Sequence, residues 1–140
     1  MSEAVKEVAK KERPQFTNIN VADLAHYRLP LAGVVSILHR VSGAALFLAL
    51  PYLLSLFHKS LLSEDTFLHF RGIVSIPLVK LVLLGLIWAY MQHFCAGLRH
   101  LFMDAHIGID KESARRSAAA VLAASLALTA LCGLKLFGVF

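Results

Sequence analysis

The sequence predicts an all-α integral membrane protein with three transmembrane helices, and three observations predict it. Apolar stretches near 31–57, 77–98 and 118–137 are each long enough for a bilayer crossing, which takes roughly 20 residues. Only 16% of the 140 residues are charged and 58% are hydrophobic, whereas about a quarter of a soluble domain is charged. Apart from Arg40, the basic residues gather at or near the ends of these stretches rather than along them. The chain therefore divides into a polar amino-terminal segment, 1–29, and a membrane domain, 30–140.

Residues 1–12 form a charged leader without proline or aromatics, and Arg13-Pro14 opens a turn-rich segment that carries His26 and Tyr27. Pro30 suits the first turn of a helix, where its missing N–H costs nothing. The first membrane helix then runs to about Phe57, with Pro51 inside it as a kink. Ser63-Glu64-Asp65 reads as the cap and start of a short interfacial helix. Pro77 starts the second membrane helix, in which Lys80 can snorkel to the interface. That helix continues past Leu98 towards Asp104, and Gly108 and Asp110 mark the next turn. The third membrane helix carries Ala119, Ala123 and Ala127 at fourfold spacing, which predicts close helix packing on that face. Three helices with polar faces point to a bundle completed by a partner chain.

The net charge of +5 does not indicate nucleic acid, because the basic residues sit where a membrane protein needs them. Lys6, Lys10, Lys11, Arg13 and Arg28 precede the first helix, and Arg99, Lys111, Arg115 and Arg116 lie between the second and third. Lys59, Arg71 and Lys135 occupy the opposite side. This asymmetry predicts a cytoplasmic amino terminus and an external carboxyl terminus. No cleavable signal peptide is evident in the polar first 29 residues, and the acidic Glu3, Glu7, Glu12 and Asp23 do not fit a transit peptide. Cys95 and Cys132 read as small apolar side chains without pairing spacing.

The chemistry concentrates in two runs. Ser36, His39 and Arg40 share one face of the first helix at i, i+3 and i+4. His93, Gly97, His100 and Asp104 share one face of the second at steps of four, three and four. At a rise of about 1.5 Å per residue, His39 lies ~13 Å and His93 ~9 Å from the same side of the membrane, so the two clusters are expected to face each other. An ionisable side chain at such depth is costly without a partner or a role. A neutral imidazole is a good axial ligand for haem iron, and porphyrin propionates call for cations such as Arg40 with His39. A quinone headgroup needs donors, which Ser36 and Arg40 offer. With His93 the one convincing buried ligand, a six-coordinate haem would take its second ligand from another subunit. The plainer readings are a His that bonds a neighbouring helix, an Arg that meets a lipid phosphate, and a Ser that bonds its own backbone. His26, His58, His69, His100 and His106 lie near interfaces and read as solvated or structural, and Trp88 reads as packing.

Three motifs occur in order: Tyr27-x-x-Pro30, Ser36-Ile-x-His39-Arg40-x-Ser42-Gly43, and His93-x-x-x-Gly97-x-Arg99-His100-x-x-x-Asp104. With three membrane helices, about residues 13–140 resemble the b-type cytochrome membrane-anchor subunit of succinate dehydrogenase, respiratory complex II. The resemblance implies that His93 is the axial ligand of a haem b shared with a second anchor subunit. It implies that Ser36 and Arg40 border the ubiquinone site and that His39 and Arg40 approach the haem propionates. It also implies an iron–sulfur subunit that passes electrons to quinone and a flavoprotein subunit that oxidises succinate. Such an anchor is not catalytic alone and would sit in a bacterial cytoplasmic membrane. One departure is Phe16, where family members often carry Ser three positions after the Arg of an Arg-Pro pair. The alternatives are a fumarate reductase anchor or a small transporter or proton-conducting bundle, though no acidic residue lies deep in any helix.

Overall fold

The computed structural model describes residues 28–139, so Arg13-Pro14, Phe16, His26 and Tyr27 lie outside the described residues. Four helices follow in order: α1 (Leu31–Ser60), α2 (Glu64–Ser75), α3 (Pro77–Asp104) and α4 (Lys111–Leu136). The described residues contain no strand. α1, α3 and α4 are long and apolar enough to cross a membrane. Their 30, 28 and 26 residues exceed the roughly 20 that the hydrocarbon layer requires, so their ends project beyond it.

The helix ends follow local chemistry. Pro30 is extended (φ −63°, ψ 150°) and stands just before α1 as its cap, not within its first turn. Its carbonyl still accepts from the N–H groups of Gly33 and Val34. α1 continues through Pro51 to Ser60. Ser63 caps α2 in a reciprocal box: its hydroxyl accepts from the Thr66 N–H, and the Thr66 hydroxyl accepts from the Ser63 N–H. Pro77 occupies the first turn of α3. α4 starts at Lys111, before its apolar stretch, because Asp110 caps it with bonds from the Glu112 and Ser113 N–H groups at 3.1 and 2.9 Å.

α3 is the centre of the fold and packs against α1, α2 and α4. Gly43 of α1 lies against His93 of α3, and His39 lies against Gly97, so α1 and α3 run antiparallel. The start of α1, the end of α3 and the start of α4 therefore share one end of the bundle. The apolar core is thin and built of small side chains: Val35, Ala89, Ala96, Ala118 and Val121. Large apolar groups point outward instead, with Phe47 and Leu48 75% and 77% exposed, as a lipid-facing surface requires.

Ala119, Ala123 and Ala127 are exposed in this chain and are not the face that α4 buries against its own neighbours. The buried stripe is Ala118, Val121, Ser125, Thr129 and Gly133. The alanine and buried positions share nearly the same period, so spacing alone does not choose between them. The choice follows from hydrogen bonding, since the buried stripe carries the hydroxyls that find partners. Lys80 reaches the other end of the bundle, with its Nζ 5.6 Å from the Phe137 ring centroid, a cation–π distance.

Candidate functional site

Three imidazoles meet at the α1–α3 seam. The His39 and His93 rings stack with centroids 4.1 Å apart and planes 9° from parallel. His100, one heptad beyond His93 on the same face, tilts against His39 at 4.9 Å. His39 thus sits between the two α3 histidines, opposite Gly97. All three rings are half-buried.

The orientation of His93 follows from its partners. Its Nδ1 lies 3.1 Å from the His39 carbonyl oxygen and 3.3 Å from Ser42 Oγ. A carbonyl only accepts, so Nδ1 carries the proton and donates. Ser42 is buried and donates its own hydroxyl hydrogen to the same carbonyl at 3.0 Å. In the neutral ring, Nε2 then holds the lone pair, and it has no hydrogen-bond partner among the described residues. An Nδ1–H bonded to a backbone carbonyl with Nε2 left open is the arrangement that metal-ligating histidines use.

Gly43 makes this placement possible. A Cβ there would fall 2.9 Å from His93 Cε1, too close for the ring to stay where it is. At Gly97 an added Cβ would meet His39 Nε2 at 3.6 Å, an ordinary contact. The glycine that makes room for the axial-ligand candidate is therefore on α1, not on the histidine's own helix.

The other expected groups are less gathered. Arg40 is exposed, and Ser36 is half-buried; neither makes a hydrogen bond or ion pair among the described residues. The imidazoles converge, while the hydroxyl and guanidinium of α1 remain at the surface of this chain. No group of three or more His, Cys, Asp or Glu among the described residues is arranged to hold a metal ion by itself. The residues present fit a group that needs one protein nitrogen from this chain.

A second polar seam, between α3 and α4, was less legible. Ser125 Oγ, fully buried, donates at 2.8 Å to Gln92 Oε1 and lies 3.0 Å from the Leu122 carbonyl, while Thr129 bonds the Ser125 carbonyl at 2.7 Å. Arg99 turns inward rather than to water: Nε donates to Ser117 Oγ at 2.9 Å and Nη2 to the Ala114 carbonyl at 3.4 Å. The available signal was Ser125 and Thr129 one turn apart, in register with Ala118, Val121 and Gly133. Cys95 and Cys132 are free thiols.

Residues 10–132 match the succinate dehydrogenase/fumarate reductase transmembrane subunit family. A succinate dehydrogenase cytochrome b556 subunit from Paracoccus denitrificans is 35% identical over 125 residues, which cover 89% of this chain and 92% of that one. The corresponding subunit of Coxiella burnetii is 32% identical over 79% of this chain and 90% of its own. That of Rickettsia felis is 29% identical over 94% and 98%. With three membrane-length helices and this coverage, the chain belongs to the succinate dehydrogenase/fumarate reductase transmembrane subunit family, as a b-type cytochrome anchor of succinate dehydrogenase.

Proposed function

We propose that this chain binds haem b and ubiquinone for a succinate dehydrogenase, with His93 as its axial ligand to the haem iron. One observation carries the reading: the His39 carbonyl and Ser42 hold the Nδ1–H of His93 and leave Nε2 open, in a space that only a glycine at position 43 permits. A second anchor subunit would supply the other ligand. When bound, haem b would supply a one-electron store.

The chain's own residues position and neutralise. His39 and Arg40 lie on the helix that faces His93 and provide cationic or donor groups for the propionates. Ser36 and Arg40, towards the end shared with the start of α4, offer donors to the quinone carbonyl oxygens. Arg40 is exposed in the single chain, which suits a group that meets a substrate or a partner rather than its own bundle. A flavoprotein subunit oxidises succinate, and an iron–sulfur subunit docks at this end and delivers electrons to quinone. The excess of Arg28, Arg99, Lys111, Arg115 and Arg116 at this end supports its placement on the cytoplasmic side of a bacterial inner membrane.

The test is the reduced-minus-oxidised spectrum of the assembled complex. His93→Ala is expected to abolish the b-haem band while succinate oxidation with a soluble dye persists. His100→Ala should retain the band, because its ring touches His39 and not the open nitrogen of His93. A band that survives His93→Ala and disappears with His100→Ala would reverse the assignment.

A further inference from the structure

Arg99 is only 6% exposed, yet no carboxylate among the described residues lies within ion-pair reach of it. Its bonds go to two neutral oxygens, Ser117 Oγ and the Ala114 carbonyl. Glu112, one turn before Arg116 on α4, is committed to Arg116. A guanidinium does not deprotonate in proteins, so the buried positive charge has no counter-charge among the described residues.

Arg99 also lines a groove of about 420 Å³ between α3 and α4. The rest of the lining is almost wholly apolar and includes Cys95, Leu98, Phe102, Val121 and Ala124. Along α4 the groove runs from Ser113 to Ala124, about 16 Å at the helical rise. Its inner part, from Ala118 to Ala124, lies in the apolar stretch of α4, and the rest extends past Arg99 towards the bundle end. The groove reaches Ile107, Gly108 and Ser113, at the bundle end where α3 passes into α4.

We propose that this groove is a binding site for an anionic phospholipid, with the phosphate paired to Arg99 and one acyl chain laid between α3 and α4. Two independent observations carry it: a buried cation with no carboxylate beside it among the described residues, and a mostly apolar trough that runs inward from that cation. A free phosphate would satisfy only the first. The site is on the α3–α4 seam, apart from the histidines of the α1–α3 seam.

The test uses the detergent-purified complex containing this chain, as wild type, Arg99→Gln, Arg99→Lys and Ala124→Phe. Delipidated samples are titrated with phosphatidylglycerol in mixed micelles, with phosphatidylcholine alone, and with inorganic phosphate; bound lipid and thermal midpoint are read. Wild type should retain phosphatidylglycerol on the order of tenfold more tightly than Arg99→Gln, the scale of a lost charged hydrogen bond. Ala124→Phe fills the trough, leaves Arg99 in place and should also lose the lipid. That arm decides the matter if Arg99→Gln does not assemble. Equal retention by wild type and Ala124→Phe, or equal stabilisation by inorganic phosphate, would overturn the proposal. So would cross-linking of the Arg99→Lys complex to a carboxylate of another subunit.

Discussion

The two seams of α3 use polar residues in opposite ways. Against α4, Gln92, Ser125, Thr129, Arg99 and Ser117 are paired mostly with one another or with carbonyls, and the helices close on small residues. Against α1, three imidazoles gather, and only one side of His93 is engaged. The first pattern is glue, since polar groups that satisfy each other hold helices together in a medium without water. The second is a half-finished constellation, in which ring atoms stay available to something outside the chain. Depth in the membrane therefore does not distinguish a functional polar residue from a structural one; the completeness of its hydrogen bonding does. Two groups on the glue side are exceptions: Gln92 Nε2, fully buried without a partner among the described residues, and the Arg99 charge, which bonds only neutral oxygens there.

The largest test of this contrast is Gly43→Val against Gly97→Ala. A side chain at position 43 collides with the His93 ring at 2.9 Å, whereas one at position 97 makes an ordinary 3.6 Å contact. Gly43→Val is expected to remove most of the b-haem band, and Gly97→Ala to keep it. Matching spectra for both variants would mean that His93 is not held by the α1 backbone.

Next in size is Ser36→Ala. It removes a hydroxyl that has no hydrogen bond among the described residues, so nothing in this chain should loosen. Loss of a bond to quinone should slow succinate–quinone reduction by roughly one to two decades, the equivalent of about 1–3 kcal/mol. Haem content and dye-linked succinate oxidation should hold. Equal loss in both assays would point to assembly and withdraw the quinone role.

Ser125→Ala should act on stability alone. Interhelical hydrogen bonds of this kind are worth about 0.6 kcal/mol on average and up to ~1.7 kcal/mol in membranes. A lowered thermal midpoint with an unchanged haem spectrum is expected. A changed spectrum would show that the two seams are coupled and break the distinction.

The smallest effect is at Asp110, whose carboxyl is held below the ordinary range, first by hydrogen bonding from the Ser113 side chain and then by the Ser113 N–H. A lowered folded-state pKa stabilises α4 above the unfolded carboxylate pKa, and the contribution fades as pH falls through the folded value. Asp110→Ala should therefore lower the thermal midpoint slightly at neutral pH, and the gap to wild type should close under acid.

Much of the membrane architecture was present in composition and punctuation. Three apolar stretches, Pro77 at a helix start and Ser63 at a cap are local facts, and local hydrogen-bond geometry enforces them whatever packs nearby. The facing of His39 and His93 was also readable, because a fixed rise per residue converts sequence position into depth. Which small residue makes room for which ring was not readable. Gly43 and Gly97 look alike in sequence, and only the antiparallel register of α1 on α3 puts a Cβ of one into His93. In the same way, Ala119, Ala123 and Ala127 carried a plausible packing period, but the rotation of α4 was decided by Ser125 finding Gln92. Arg99 followed the same logic: its charge indicated the water edge, yet Ser117 and the Ala114 carbonyl drew it inward. A helix's length and depth depend on its own residues, whereas its rotation depends on partners, because in lipid the face that turns inward is the one whose polar atoms another helix can satisfy.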